Sequence, residues 1–165
     1  MLSEPILLDK SHDCSHFDCG KEPLNTFLGS FALTNQKGGL SRTYIVLSEG
    51  KVAGYYSLAP AGVEPAHAPD RVMKGQPQHP VPCILLATLA VDRAAQGTGV
   101  GTFLFRDAML RAFRAHEQIG GRAFLVHAMD EEAKTFYMKY GMLQSPTHQM
   151  HLFLLFKDIR NALER

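Results

Sequence analysis

Three glycines alternate in Gly97-Thr98-Gly99-Val100-Gly101, directly after Gln96 and ahead of a long helical pattern. Glycine has no Cβ, so backbone N–H groups in such a loop can come close to a ligand and converge on it. A loop that opens a helix adds the helix's unpaired first amides and the positive end of its dipole. The chemistry on offer is phosphate binding. The spacing excludes two familiar phosphate loops. A Walker loop needs GxxxxGK[ST], and no lysine follows Gly101. A dinucleotide fingerprint needs GxGxxG early in a βαβ unit, and here GxGxG lies deep in the chain. Alternation alone also fits a tight turn between strand and helix.

Two other groups carry reactive residue types. The run His12-Asp13-Cys14-Ser15-His16-Phe17-Asp18-Cys19 has the side chains of a zinc site. It holds no CxxC, and no second ligand pair follows at finger spacing, so no metal is expected. Ala133, Phe136, Tyr137 and Tyr140 form a helical stripe, which by pattern alone reads as core. His127, at the end of a short apolar run, reads as a satisfied buried histidine.

The segment Leu89-Ala90-Val91-Asp92-Arg93-Ala94-Ala95-Gln96-Gly97-Thr98-Gly99-Val100-Gly101 resembles the signature [Q/R]-x-x-G-x-[G/A] of the GNAT acetyltransferases. Ala133-Lys134-Thr135-Phe136-Tyr137-Met138-Lys139-Tyr140-Gly141-Met142 resembles that family's A-x-x-F-Y-x-x-x-G-F. The chain departs from the pattern with Asp130 where asparagine is frequent and Met142 where the last Phe stands. The resemblance implies a mixed α/β fold with a mostly antiparallel sheet, splayed at the cofactor strand and flanked by helices. It implies acetyl-CoA as co-substrate, with Gln96, Gly97, Thr98, Gly99, Val100 and Gly101 around the diphosphate. Leu89, Ala90, Val91 and Phe136 would lie along the pantetheine arm.

Further stretches are similar to the GNAT toxins of bacterial toxin–antitoxin modules: Phe17-Asp18-Cys19-Gly20, Leu24-Asn25, Ser41-Arg42-Thr43-Tyr44, Gly54-Tyr55-Tyr56-Ser57-Leu58-Ala59 and Val126-His127-Ala128. This likeness covers roughly residues 15–156. It implies acetylation of the α-amino group of aminoacyl-tRNA, arrest of translation, a homodimer and a ribbon-helix-helix antitoxin, with operator DNA reached only through the antitoxin complex. The rival expectations are an acetyltransferase for a small amine or a protein N-terminus, and an inactive GNAT subunit that only binds.

The implied reaction is attack of an amine on a thioester. An α-amino group has a pKa of about 7.7–8.0, so a dedicated base is not required near neutral pH. By the resemblance Tyr137 is the residue beside the leaving thiolate. A phenol near pKa 10 giving its proton to a thiolate near 8.5 is uphill by roughly 2 kcal/mol, so a hydrogen bond is the more plausible role. The Val91 amide is the expected donor to the thioester carbonyl. For tRNA phosphates the candidates are Lys37, Arg42 and Arg93. Arg106, Arg111, Arg114 and Arg122 could add to that surface, although the first three read as solvated positions on one helix.

Elements must position these groups. Leu24, Phe27, Leu28 and Phe31 predict one face of a helix over 21–36, stopped at Gly38-Gly39. Thr43–Leu47 and Val52–Ala59 predict a hairpin about Ser48-Glu49-Gly50-Lys51. Residues 60–82 hold six of the nine prolines and predict a loop with a short turn near Asp70–Lys74. Cys83–Val91 predicts a strand buried on both faces, and Gly99–Ile119 a helix ended by Gly120-Gly121. A strand at Ala123–Val126, a helix at Asp130–Tyr140, a strand at His151–Phe156 and a turn of helix at Asp158–Leu163 complete the order.

At 165 residues, with 45% hydrophobic and 20% charged residues, the chain suits one globular domain over 1–165. A net charge of +1 argues neither for nor against a nucleic-acid partner; the basic surface for such a partner must be local. Three cysteines are no disulfide framework, and no secretion signal or membrane span is legible. A cytoplasmic protein is expected.

Overall fold

The computed structural model describes residues 1–164. Strands are β1 (Ile6–Leu7), β2 (Arg42–Ser48), β3 (Lys51–Val63), β4 (Val81–Val91), β5 (Ala123–His127), β6 (Leu143–Gln144) and β7 (His151–Leu155). Helices are α1 (Glu22–Thr26), α2 (Ala32–Lys37), α3 (Asp70–Met73), α4 (Val100–Ile119), α5 (Glu131–Met138) and α6 (Phe156–Leu163). The strands form a mixed seven-stranded sheet in the order β1-β2-β3-β4-β5-β7-β6. Only the β4–β5 pair is parallel among the pairings described; β1–β2, β2–β3, β5–β7 and β6–β7 are antiparallel. This is the mixed α/β architecture expected.

The chain packs as two compact units: Met1–Ala59 with Ala87–Leu110, and Pro60–Leu86 with the chain from Arg111 on. In the first unit the hairpin turn lies at Glu49 and Gly50, both at positive φ (52° and 79°), as a right-twisted two-residue hairpin requires. Leu8, Phe17, Leu28, Ala32, Ile45 and Tyr55 form one core cluster. Tyr56 stacks on Tyr44 with ring centroids 5.4 Å apart, and its hydroxyl donates to the Asp107 carboxylate of α4 at 2.5 Å.

The predicted first helix is present but carries a one-residue insertion. Residues Phe27–Phe31 form a π turn between α1 and α2. A π turn advances the chain by one extra residue. The buried stripe therefore passes from Leu28 to Ala32, and Phe31, predicted to face inward, is 53% exposed.

Gly54 shows why the strand beneath α4 needs a glycine. A Cβ there would lie 2.7 Å from Leu104 Cδ1 and 3.1 Å from the Ala90 carbonyl oxygen. Leu104 is fully buried, so its methyl could shift only by displacing packed neighbours, and the Ala90 carbonyl is backbone. Gly54→Ala should destabilise the protein by about 1–3 kcal/mol through overpacking. At roughly 2–4 °C per kcal/mol for a chain of this size, thermal unfolding should register the loss; an unchanged midpoint would contradict this packing.

In the second unit Val63, Val72, Val81, Cys83, Leu125 and Phe153 belong to one core cluster. The proline-rich segment is shorter than predicted. β3 runs on to Val63 and β4 begins at Val81, with Pro60 and Pro82 both exposed inside strands. Between them lie a 3-10 turn, Pro65–His67, and α3. β4 is not buried on both faces throughout: Pro82 is exposed, and Leu85 and Ala87–Leu89 are only half-buried. β1 and β6, each two residues long, were not predicted.

Arg122 is not part of a free basic surface. Its guanidinium donates to the carbonyls of Val72, Arg71 and Lys74 at 2.9, 3.2 and 3.4 Å, closing the end of α3.

Candidate active site

The glycine loop lies in the first unit. β4 ends at Val91, Arg93–Ala95 makes a 3-10 turn, and α4 starts at Val100. Asp92 caps the turn by accepting the Ala94 N–H at 3.0 Å. The Gln96 side-chain amide donates to the carbonyls of Val91 and Cys19, both at 2.9 Å. The Thr98 hydroxyl donates to the Ala95 carbonyl. Gly97 and Gly99 take φ of 79° and 91°, the region that favours glycine. A Cβ on either would meet nothing within 4 Å, so the loop borders open space.

The first helical hydrogen bond of α4 runs from the Phe103 N–H to the Gly99 carbonyl, 3.0 Å. The amides just ahead of Phe103 thus lie where an α-helix leaves N–H groups without intrahelical acceptors. Exposed glycines, helix-terminal amides and adjacent space fit an anionic group, and the helix dipole favours one. Leu89 and Val91 of β4 are half-buried and Ala90 is buried. Within the second unit, β5 pairs with β4 from Cys83↔Ala123 to Leu86↔Val126. Pairing with β5 thus ends before Leu89–Val91.

Tyr137 lies in the second unit, on α5. Asp130 caps that helix by accepting the Ala133 N–H at 2.9 Å, and Gly141 at φ 78° follows its end. Of the stripe Ala133, Phe136, Tyr137 and Tyr140, only Tyr137 is fully buried, at 5% exposure. Phe136 meets the Tyr137 and Tyr140 rings edge-on at centroid distances of 5.3 and 5.8 Å. Burial, and then the negative charge of Asp130, push the Tyr137 phenol above the ordinary tyrosine value. It holds its proton at all physiological pH values and can act as a hydrogen-bond donor.

Lys37 and Arg42 are exposed in the first unit. Arg93 is exposed too, but its guanidinium sits 3.7 Å from the Asp18 carboxylate, so its charge is partly offset. The zinc-like run is spent on local contacts. His12 Nδ1 accepts the Asp9 N–H at 3.0 Å, and the Cys14 and Cys19 thiols point to the carbonyls of His12 and Lys21.

His127 departs from the expectation of a satisfied buried histidine. It is exposed at the end of β5 and pairs across the strands with His151 of β7. Their rings stack at 3.9 Å, His148 follows at 4.6 Å from His151, and His67 lies 4.9 Å from His148. The spacing of these histidines along the chain hides the array; the β5–β7 register pairs His127 with His151, and the loop before β7 and the Pro65–His67 turn add His148 and His67. Although the residue as a whole is exposed, its imidazole is partly covered, and that desolvation, with the neighbouring His151 and His148, lowers the His127 pKa to about 4. Above pH ~6.5 both folded and unfolded states hold it neutral. Below that, the unfolded state takes up a proton that the folded state refuses until about pH 4. Stability should therefore fall as pH drops through this window. The denaturant midpoint of His127→Gln should fall less between pH 7 and 4.5 than that of the wild type; equal falls would contradict the array's effect.

Residues 39–141 match the acetyltransferase (GNAT) domain. The chain is 44% identical over 158 residues to a tRNA-acetylating toxin of Mycobacterium tuberculosis (strain ATCC 25618 / H37Rv), covering 96% of this chain and 95% of that protein. It superposes on AtaT complexed with acetyl-methionyl-tRNAfMet with a TM-score of 0.89 and 31% identity, over 99% of each chain. A mutant AtaT toxin bound to the C-terminus of the antitoxin AtaR and acetyl-CoA matches with a TM-score of 0.84 and 28% identity, over 100% of this chain and 99% of that one. The protein belongs to the GNAT acetyltransferase family. Within that family it is similar over nearly its whole length to a tRNA-acetylating toxin and to AtaT in complex with acetyl-methionyl-tRNAfMet.

Proposed function

We propose that the protein is a toxin that moves the acetyl group of acetyl-CoA to the α-amino group of an aminoacyl-tRNA and so stops translation. The observation that carries this reading is the end-to-end similarity to a named tRNA-acetylating toxin. Gln96, held by two carbonyls, sets the entry to the glycine loop, and the amides of Gly97, Thr98, Gly99, Val100 and Gly101 hold the diphosphate of coenzyme A. Leu89, Ala90, Val91 and Phe136 line the pantetheine arm.

Bound acetyl-CoA supplies a thioester carbonyl for an amine to attack. The Val91 amide donates to the carbonyl oxygen as charge develops there. The Tyr137 hydroxyl donates a hydrogen bond to the departing sulfur. Its raised pKa makes complete proton transfer still less favourable than for a free phenol; the attacking amine, acidic once bonded to the carbonyl carbon, supplies the proton that the departing thiolate takes up. Lys37 and Arg42 are the exposed cations assigned to tRNA phosphates, with Arg93 contributing less because Asp18 sits beside it. A homodimer, a ribbon-helix-helix antitoxin that alone reaches operator DNA, and a cytoplasmic location complete the reading. Among the described residues no helix is long and apolar enough to cross a membrane.

Cell-free translation tests the proposal. The pure protein should arrest synthesis only when acetyl-CoA is present, and charged tRNA should recover an acetyl group. Unimpeded synthesis alongside acetylation of a small amine would favour the wider enzyme reading instead. Failure to take up acetyl-CoA would leave only a binding subunit.

A further inference from the structure

The loop that leads to the glycines is fastened from a distance. Asp92 Oδ1 accepts the Asp18 N–H at 2.9 Å, and the Asp18 carbonyl accepts the Arg93 N–H at 2.8 Å. The Cys19 carbonyl accepts from Gln96 Nε2 at 2.9 Å. Residues 18 and 19 thus grip residues 92, 93 and 96 through three hydrogen bonds, and the Asp18–Arg93 ion pair adds a fourth contact. All of these groups belong to the first unit.

What holds residues 18 and 19 is a side chain that touches no loop atom in these contacts. Asn25, on α1, accepts the Cys19 N–H at 2.8 Å through Oδ1 and donates to Asp18 Oδ1 at 3.0 Å through Nδ2. The same Asp18 oxygen accepts the Gly20 N–H at 2.9 Å. These bonds hold the Asp18 carboxyl below the usual carboxylate range, the Gly20 amide first and Asn25 second. The turn needs Gly20 at φ 91°, and a Cβ there would come within 3.2 Å of Arg93 Nε. Asn25 therefore fixes the Asp18–Cys19 peptide plane directly and the Cys19–Gly20 plane through the Asp18 carboxylate, and the carbonyls of these two planes are the ones that receive Arg93 N–H and Gln96 Nε2. The last part of the loop is braced only lightly: Gly97 and Gly99 border open space, and Thr98 reaches back to Ala95. Its placement depends on the fixed entry.

We propose that Asn25 is a positioning residue for acetyl-CoA, acting through Asp18 and Cys19 on Gln96 to preset the glycine loop. The inference rests on the reading that residues 96–101 hold the diphosphate. It concerns cofactor affinity rather than the chemical step, because Asn25 acts on the loop's geometry before any ligand arrives.

The test compares acetyl-CoA binding by calorimetry with steady-state kinetics. Asn25→Ala should raise the acetyl-CoA Kd about tenfold, the scale of a lost hydrogen bond, while kcat at saturating acetyl-CoA stays within about threefold of wild type. Combining Asn25→Ala with Gln96→Ala should cost little beyond Gln96→Ala alone, because both act along one path. Should Asn25→Ala fail to fold, the isosteric Asn25→Asp carries the same comparison: it keeps the acceptor for Cys19 and sets a repelling carboxylate against Asp18. Wild-type affinity in the folded Asn25 variant would overturn the inference. So would a matched loss of kcat and Kd with the melting temperature, or full additivity with Gln96→Ala. Failure of the wild-type protein itself to bind acetyl-CoA would instead overturn the reading of the loop.

Discussion

Replacing Tyr137 by phenylalanine should lower turnover by about 10²–10⁴-fold while acetyl-CoA still binds. The substitution removes one oxygen from a side chain that is 5% exposed and leaves the ring that packs edge-on against Phe136. Core packing is thus preserved, and any loss belongs to the hydroxyl. The direction of the pKa shift sharpens the expectation. Burial and Asp130 keep the phenol protonated, so the hydroxyl works as a fixed donor and its contribution should not vary with pH across the neutral range. Turnover within a few-fold of wild type would remove Tyr137 from the mechanism and return it to the core.

The second large effect belongs to Gly99. At φ 91° a side chain costs about 1–2 kcal/mol of backbone strain. In Gly99→Ala the loop must either bear that strain or rotate its peptide planes, and rotation turns its amides away from a bound anion. Hydrogen bonds to a charged group are each worth about 1.5–3 kcal/mol, so misdirecting one or two should weaken acetyl-CoA binding about 10²–10³-fold. The fold should survive, because a Cβ at this position meets nothing within 4 Å. A variant that melts like wild type and has lost affinity is the expected result, measured by calorimetry beside thermal unfolding. Unaltered affinity would show that the amides of this loop are not the anion's ligands.

Much of the fold was legible because its signals are local. β-Branched and aromatic residues mark β2 and the turn after it sets β3 as its hairpin partner, the capping Asp130 and closing Gly141 bracket α5, and the glycine pair at 120–121 ends α4. The misses share a physical cause in information that is not local. The π turn at Phe27–Phe31 leaves the apolar spacing intact up to the insertion and only then rotates the stripe, so Phe31 reads as core and is exposed. β1 and β6 are two residues long and exist because β2 and β7 offer them an edge. Prolines argue against strand, yet Pro60 and Pro82 lie in β3 and β4.

The candidate site divides in the same way. The glycine spacing and the helix that follows were readable directly, and the resemblance supplied Tyr137. The fastening of Gln96 to Cys19, 77 residues apart, was not, and neither was the partial offsetting of Arg93 by Asp18. Residue type alone made Arg122 a surface cation; three carbonyls near α3 make it a structural one.

The central claim is that the backbone amides of residues 96–101 receive the diphosphate of coenzyme A. An amide-resolved ¹H–¹⁵N NMR titration with coenzyme A tests it most directly. Gly97, Thr98, Gly99, Val100 and Gly101 should give the largest saturable shifts, downfield in the proton dimension. Saturation with those five signals unmoved, or no uptake at millimolar ligand, would contradict it.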